Sequence, residues 1–154
     1  VSVRIHWGED TIDHVVAPAL TSEPAVPVPH TVPESPKKES GLTPVPLIRL
    51  AYGRSGDKGD KANIGIIARQ SEYLPYIWTA LTPEVVASCF SRFLDGRVER
   101  FLLPGIHAIN FVLHDVLGGG GMASLRNDAQ GKGYAQILLA QPIDLPASLA
   151  EQIP

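Results

Sequence analysis

Val1, Val3, Ile5 and Trp7 alternate with Ser2, Arg4 and His6. A period of two predicts a strand with one apolar and one polar face. No nearby segment reads as its partner, so the strand is expected to pair with the main domain, another chain or a missing domain. The pattern then lapses: prolines stand at 24, 27, 29, 33, 36, 44 and 46, with Ser, Thr, Glu and Lys between them. Repeated proline fixes φ and removes backbone donors, which predicts an extended linker over residues 21–45 that buries no core.

Order resumes at Leu47. Residues 47–52 read as a strand, 53–61 as a polar loop and 62–68 as an apolar, central strand. Residues 73–81 read as a short helix. Thr82, Pro83 and Glu84 then supply an N-cap, a first-turn proline and a charge that complements the helix dipole. Val85, Val86, Cys89, Phe90, Phe93 and Leu94 form the stripe of that helix, which Gly96 stops. Residues 97–103 read as a third strand. Ile106, Ile109, Leu113 and Val116 predict a second amphipathic helix over 106–117. A strand over 122–126, a turn over 127–133, a helix over 134–140 and a short edge strand over 143–145 follow, with 147–154 as a tail. Strands and helices alternate irregularly, which predicts an α+β two-layer sandwich with a mixed or antiparallel sheet and helices on one face.

Charge and composition narrow the function. The net charge of −3 argues against a nucleic-acid partner, whose electrostatic footprint is basic. Cys89 is the only cysteine, so neither an intrachain disulfide nor a cysteine-built zinc site exists, and it reads as a small core residue. No run approaches the roughly 18 apolar residues of a membrane span, and residues 1–7 lack a signal-peptide hydrophobic region. A cytoplasmic protein with no membrane partner is expected. Lacking an initiator Met, the chain is expected to be a piece of a longer polypeptide or a processed product.

Three constellations carry candidate chemistry. Arg54, Ser55, Gly56, Asp57, Lys58, Gly59, Asp60 and Lys61 combine glycines that let a backbone approach a ligand with cations and a hydroxyl suited to phosphate or carboxylate. Successive N–H groups in such a loop form an anion-binding nest. The stretch lacks the Gly-Lys-Ser/Thr ending and following helix of a P-loop. Asp57 and Asp60 either hold a hard cation or pair with the lysines, and the alternative is a polar hairpin loop whose charges satisfy one another. Gly118, Gly119, Gly120 and Gly121 exceed the single glycine a helix C-cap needs. They imply a backbone approaching a ligand, with Gly119 and Gly120 as candidates, a mobile flap, or a tight packing corner. His107, Asn110 and His114 fall on one face of the predicted helix. The two histidines would stand about 10.5 Å apart along its axis, too far to share a metal, so no metal site is expected. His107 near the helix start is a candidate general acid/base with Asn110 beside it, or else a solvated histidine. Arg126 and Lys132 add positive charge.

The segments Ala51-Tyr52-Gly53-Arg54-Ser55-Gly56-Asp57-Lys58-Gly59-Asp60, Ala62-Asn63-Ile64-Gly65-Ile66, Leu103-Pro104-Gly105-Ile106-His107-Ala108-Ile109-Asn110-Phe111-Val112-Leu113 and Leu117-Gly118-Gly119-Gly120-Gly121 resemble the C-terminal domain of acyclic terpene utilisation (AtuA) proteins. So do Ser124-Leu125-Arg126 and Gln130-Gly131-Lys132, and together they cover most of residues 46–146. The resemblance implies a ferredoxin-like fold. It also implies a large N-terminal domain as partner, of which residues 1–20 would be the end, and a setting in citronellol and geraniol catabolism through CoA thioesters. It carries over no catalytic residue and no cofactor. Two functions are then expected. In one, the domain helps an enzyme bind an acyl-CoA or other anionic substrate, with residues 54–61 and Arg126 on the anion and His107 and Asn110 facing the acyl group. In the other, it is a non-catalytic assembly module that docks onto the large domain or forms a homo-oligomer. A stand-alone small-molecule sensor is a third possibility, resting on the glycine loops alone.

Overall fold

The computed structural model describes residues 2–15, 31–36 and 41–153. The chain divides into two units, residues 1–30 and 31–154. Most of the expected linker, residues 21–30 and 37–40, lies outside the described residues.

In the first unit, β1 (Ser2–Trp7) and β2 (Asp10–Val15) form an antiparallel hairpin around the two-residue turn Gly8-Glu9. Gly8 has φ +63, the positive φ that a type II′ turn requires at its first central residue. The strand of residues 1–7 therefore pairs with the segment that follows it, which corrects the expectation of a distant partner. Asp10–Val15 escaped notice because its polar residues leave only Ile12 and Val15 apolar. The register places Val3, Ile5, Trp7 and Ile12 on one face. On the other, Arg4 Nε donates to Asp13 Oδ1 at 2.7 Å. Every residue of both strands is exposed.

The second unit contains, in chain order, β3 (Leu42–Pro46), α1 (Leu47–Leu50), β4 (Ala51–Lys58), β5 (Lys61–Ala68), α2 (Leu74–Ala80), α3 (Pro83–Cys89), β6 (Val98–Leu103), β7 (Ala108–Leu113), α4 (Tyr134–Leu139), β8 (Pro142–Pro146) and α5 (Ala147–Ala150). Strands β4, β5, β7 and β6, in that order, make one antiparallel sheet, and β3 pairs with β8 in a second. The α+β sandwich expected from the alternation of elements is the observed class. One face of the main sheet is core: Ile64, Ile66, Ile109, Phe111 and Leu113 are buried with Leu50, Val86 and Leu138 from the helices and Phe90 just after α3. Each such side chain contributes about 1.5–3 kcal/mol through removal from water. Thr82 caps α3 as expected, its Oγ1 accepting from Val85 N at 3.3 Å. Arg100 reaches across from β6 to donate to the carbonyls of Trp78 and Leu81, closing the C-terminal end of α2, and its guanidinium lies 3.6 Å from the Trp78 ring centre. Burial pushes its pKa down.

Several element expectations are corrected. Residues 106–117 are not a helix. A 3-10 turn, Pro104–Ile106, leads into strand β7, whose Ile109, Phe111 and Leu113 point inward at a period of two. Spacing admitted both periods, and pairing with β5 and β6 on either side selected the strand. Residues 53–61 are not a loop: β4 and β5 run unbroken to the two-residue turn Gly59-Asp60. Residues 47–50 are helical, and the strand starts at Ala51. The end of the expected linker is strand β3, whose prolines are tolerated because its sheet has only two strands. The expected tail holds α5, with Leu149 against the core. Helix α3 ends at Cys89 rather than near Leu94, and residues 122–126 are a turn followed by irregular backbone, not a strand.

Candidate functional site: a cationic recess on the open face of the sheet

The register fixes what the uncovered face of the sheet presents. Arg54, Gly65, Asn110 and Phe101 align in one row across the four strands. Gly56, Asn63, Val112 and Glu99 form the row on one side of it, and Tyr52, Ile67, Ala108 and Leu103 the row on the other. Toward the β4–β5 turn this face opens into a recess of about 380 Å³, lined by Arg54, Gly56, Asp57, Lys58, Asn63, Gly65 and Lys132, with Ser55 beneath.

Three cations and one carboxylate line it. Lys132 Nζ stands 3.8 Å from Asp57 Oδ1, and Lys58 Nζ donates to the Asp57 carbonyl at 3.0 Å. The Arg54 side chain makes no hydrogen bond or ion pair among the described residues. Gly56 leaves the floor open: a Cβ there would lie 3.2 Å from Lys132 Nζ. Asn63 Nδ2 donates to Asn110 Oδ1 at 3.3 Å, which leaves the Asn63 carbonyl and the Asn110 amide protons for a ligand.

The scaffold beneath is tightly tied. The Ser55 hydroxyl, on the core side, donates to the Lys132 carbonyl at 3.1 Å and accepts from Ala135 N at 2.9 Å, so it joins β4 to the start of α4. The Asp128 carboxylate accepts from the backbone N–H groups of Lys132 and Gly133, both at 2.8 Å, and so sets the backbone that carries Lys132. Asp60 Oδ1 accepts from Leu117 N and Gly119 N at 3.2 and 2.8 Å. A Cβ on Gly120 would stand 2.8 Å from the Gly59 carbonyl oxygen. The four-glycine run is thus a packing corner pressed against the β4–β5 turn.

Of the residues singled out in the sequence, Arg54, Ser55, Gly56, Asp57 and Lys58 line the recess, and Asn110 borders it through Asn63. Gly59 and Asp60 form the turn beside it, and Lys61 is the first residue of β5. Gly119 and Gly120 serve the corner. Arg126 turns inward, donating through Nη1 to the carbonyls of Phe93 and Val116. His107 does not share a face with Asn110: it is exposed in the left-handed conformation at φ +51, and its carbonyl accepts from Ala68 N. His114 is elsewhere, its Nε2 2.5 Å from Glu99 Oε2. That contact, and then Arg97, holds the Glu99 carboxyl below its ordinary value. Asn63 and Gly65 were missed as site residues, although their alternation with Ile64 and Ile66 already marks them as outward-facing on an apolar strand. Lys132 was read as positive charge without a place, since only the fold brings it to Asp57.

The model of the AtuA ferredoxin-like domain family matches residues 45–144. The chain belongs to that family. Neither the curated proteins nor the solved structures gave a match. The matched span runs from the last residues of β3 into β8 and so contains the whole recess. Among the described residues, no helix is long and apolar enough to cross a membrane. In this AtuA ferredoxin-like domain the recess offers cations and free amide groups, the chemistry that holds an anion and a neighbouring carbonyl.

Proposed function

We propose that this AtuA ferredoxin-like domain binds the anionic part of an acyl-CoA for an AtuA-type protein of acyclic isoprenoid catabolism in the cytoplasm. The observation that carries this is the convergence of Arg54, Lys58 and Lys132 on one glycine-floored recess with a single carboxylate, Asp57, among them. Cations with hydrogen-bond donors favour phosphate and carboxylate oxygens. Because the recess is open to water, its affinity falls as salt screens the charges. Calorimetric titration of the chain with free CoA and geranyl-CoA tests this, with Arg54→Ala and Lys58→Ala alongside. Each variant is expected to weaken binding about tenfold, close to the 1.4 kcal/mol of one charged hydrogen bond. Binding that ignores both substitutions, or no binding by the folded chain, overturns it.

A second reading, an assembly module, is favoured by the bare apolar face of the β1–β2 hairpin, where Trp7 is 78% exposed. Sedimentation of the chain with and without residues 1–20 separates the two: an assembly role requires the truncation to change the oligomeric state, and acyl-CoA binding does not.

A further inference from the structure

Gly65 lies in the interior of β5, one of the two inner strands of the sheet, where glycine costs backbone entropy and forgoes side-chain packing. Nothing inside the molecule requires it. Its φ is not positive, and a Cβ built on it meets only the Arg54 carbonyl oxygen at 3.9 Å, an ordinary contact. By contrast, a Cβ on Gly53 in β4 would press to 2.9 Å against Leu139, so that glycine has an internal reason. A strand glycine without one marks a place where something approaches from outside. Its surroundings are graded. On the side toward the turn lies the cationic recess, with Arg54 and the Asn63–Asn110 pair. Phe101, at the far end of Gly65's own row, is 47% exposed, and the row beyond presents Ile67 at 44%, Leu103 at 42% and Tyr52 at 59%, the last with the Arg69 guanidinium 3.9 Å from its ring centre. These are neighbours on the same face by register, and an apolar patch left open beside a polar site is the usual form of a ligand groove.

We propose that the gap over Gly65 is an acyl-chain groove, so that the ligand is an anion carrying an apolar chain. Its head sits at Arg54, Lys58 and Lys132. The chain crosses the sheet over Gly65 toward Ile67, Phe101 and Leu103. From β4 to β6 that path spans three interstrand steps, about 14 Å. Gly65 is then the residue that sets chain acceptance. This inference rests on the anion-binding role proposed above.

The test is calorimetric titration of the chain with inorganic phosphate and with octyl phosphate, for the native protein, Gly65→Val and Phe101→Ala. A β-branched residue suits an inner strand, and thermal melting checks that both variants stay folded. The native chain is expected to bind octyl phosphate at least tenfold more tightly than phosphate. Gly65→Val should erase that advantage, and Phe101→Ala should lower it about threefold while binding phosphate unchanged. Equal native affinity for the two ligands overturns the groove while leaving the anion site standing. So does an advantage that survives Gly65→Val. Binding of neither ligand removes the anion site and the groove with it.

Discussion

The protein contains two hairpins of the same local design and opposite fates. The β1–β2 and β4–β5 hairpins each close on a two-residue turn with a glycine first and an acidic residue second, Gly8-Glu9 and Gly59-Asp60, and the glycines share positive φ values of 63 and 69. Both alternate apolar and polar side chains. Yet every residue of β1 and β2 is exposed, while in β5 Ala62, Ile64 and Ile66 are fully withdrawn from water. Turn chemistry and alternation determine that a hairpin forms and in which register. Whether its apolar face stabilises anything depends on what covers it. For β4–β5 that cover is the layer of helices, with α4 bonded through Ala135 N to Ser55.

Truncating an equivalent isoleucine in each hairpin should give the widest contrast. Ile64→Ala empties a site in the core and is expected to cost about 2–5 kcal/mol. Ile5→Ala, at a residue 46% exposed, is expected to change stability by less than about 0.5 kcal/mol. Urea denaturation followed through Trp78 in the second unit and Trp7 in the first reads the two changes separately. An Ile5→Ala shift as large as that of Ile64→Ala would mean that the hairpin's apolar face is covered in solution.

The two turns differ next. Asp60→Ala leaves the N–H groups of Leu117 and Gly119 without their carboxylate and is expected to cost about 1–3 kcal/mol. Glu9→Ala, at the matching position of an exposed turn, is expected to be neutral within about 0.5 kcal/mol. Thermal melts of the pair check this. Gly120→Ala should fall in the range of Asp60→Ala, because its φ of +84 and the Gly59 carbonyl 2.8 Å from the added Cβ act together. Gly8→Ala carries the φ penalty alone, since nothing lies within 4 Å, and should cost less.

The smallest effects are electrostatic. Arg4 holds the Asp13 carboxyl below its ordinary 3.8, and His114 with Arg97 holds Glu99 below its ordinary 4.5. A carboxyl lowered in the folded state contributes stability above its ordinary value and loses it as pH falls through the lower, folded value. Each pair therefore weakens on acidification below about pH 4, more gently in the hairpin, where both side chains are mostly solvated. Carboxyl chemical shifts followed through a pH titration should show Asp13 returning to its ordinary value in Arg4→Ala. Glu99→Gln should flatten the acid limb of the melting-temperature profile.

Much of the fold was legible because it rests on local signals. Thr82-Pro83-Glu84 announced a helix start, and the apolar run from Ala62 to Ala68 announced an inner strand. The segment around His107 was misread because Ile106, Ile109, Leu113 and Val116 fit a helical spacing, while the inward Ile109, Phe111 and Leu113 fit a strand equally well. A six-residue run cannot decide between those periods alone, and the flanking strands β5 and β6 decided it. The cations of residues 54–58 were readable as an anion site from composition. Their company was not.

The sequence by itself determined the class of fold, the turn glycines, the cap of α3 and the concentration of positive charge near Arg54, since each depends on neighbours within a few residues. Tertiary structure decided the rest. It set Lys132 beside Asp57 and Asn110 beside Asn63, it turned Arg126 and the glycine run into packing, and it left Gly65 open to the outside. These are contacts across tens of residues, fixed by strand order and register, and no local pattern encodes them.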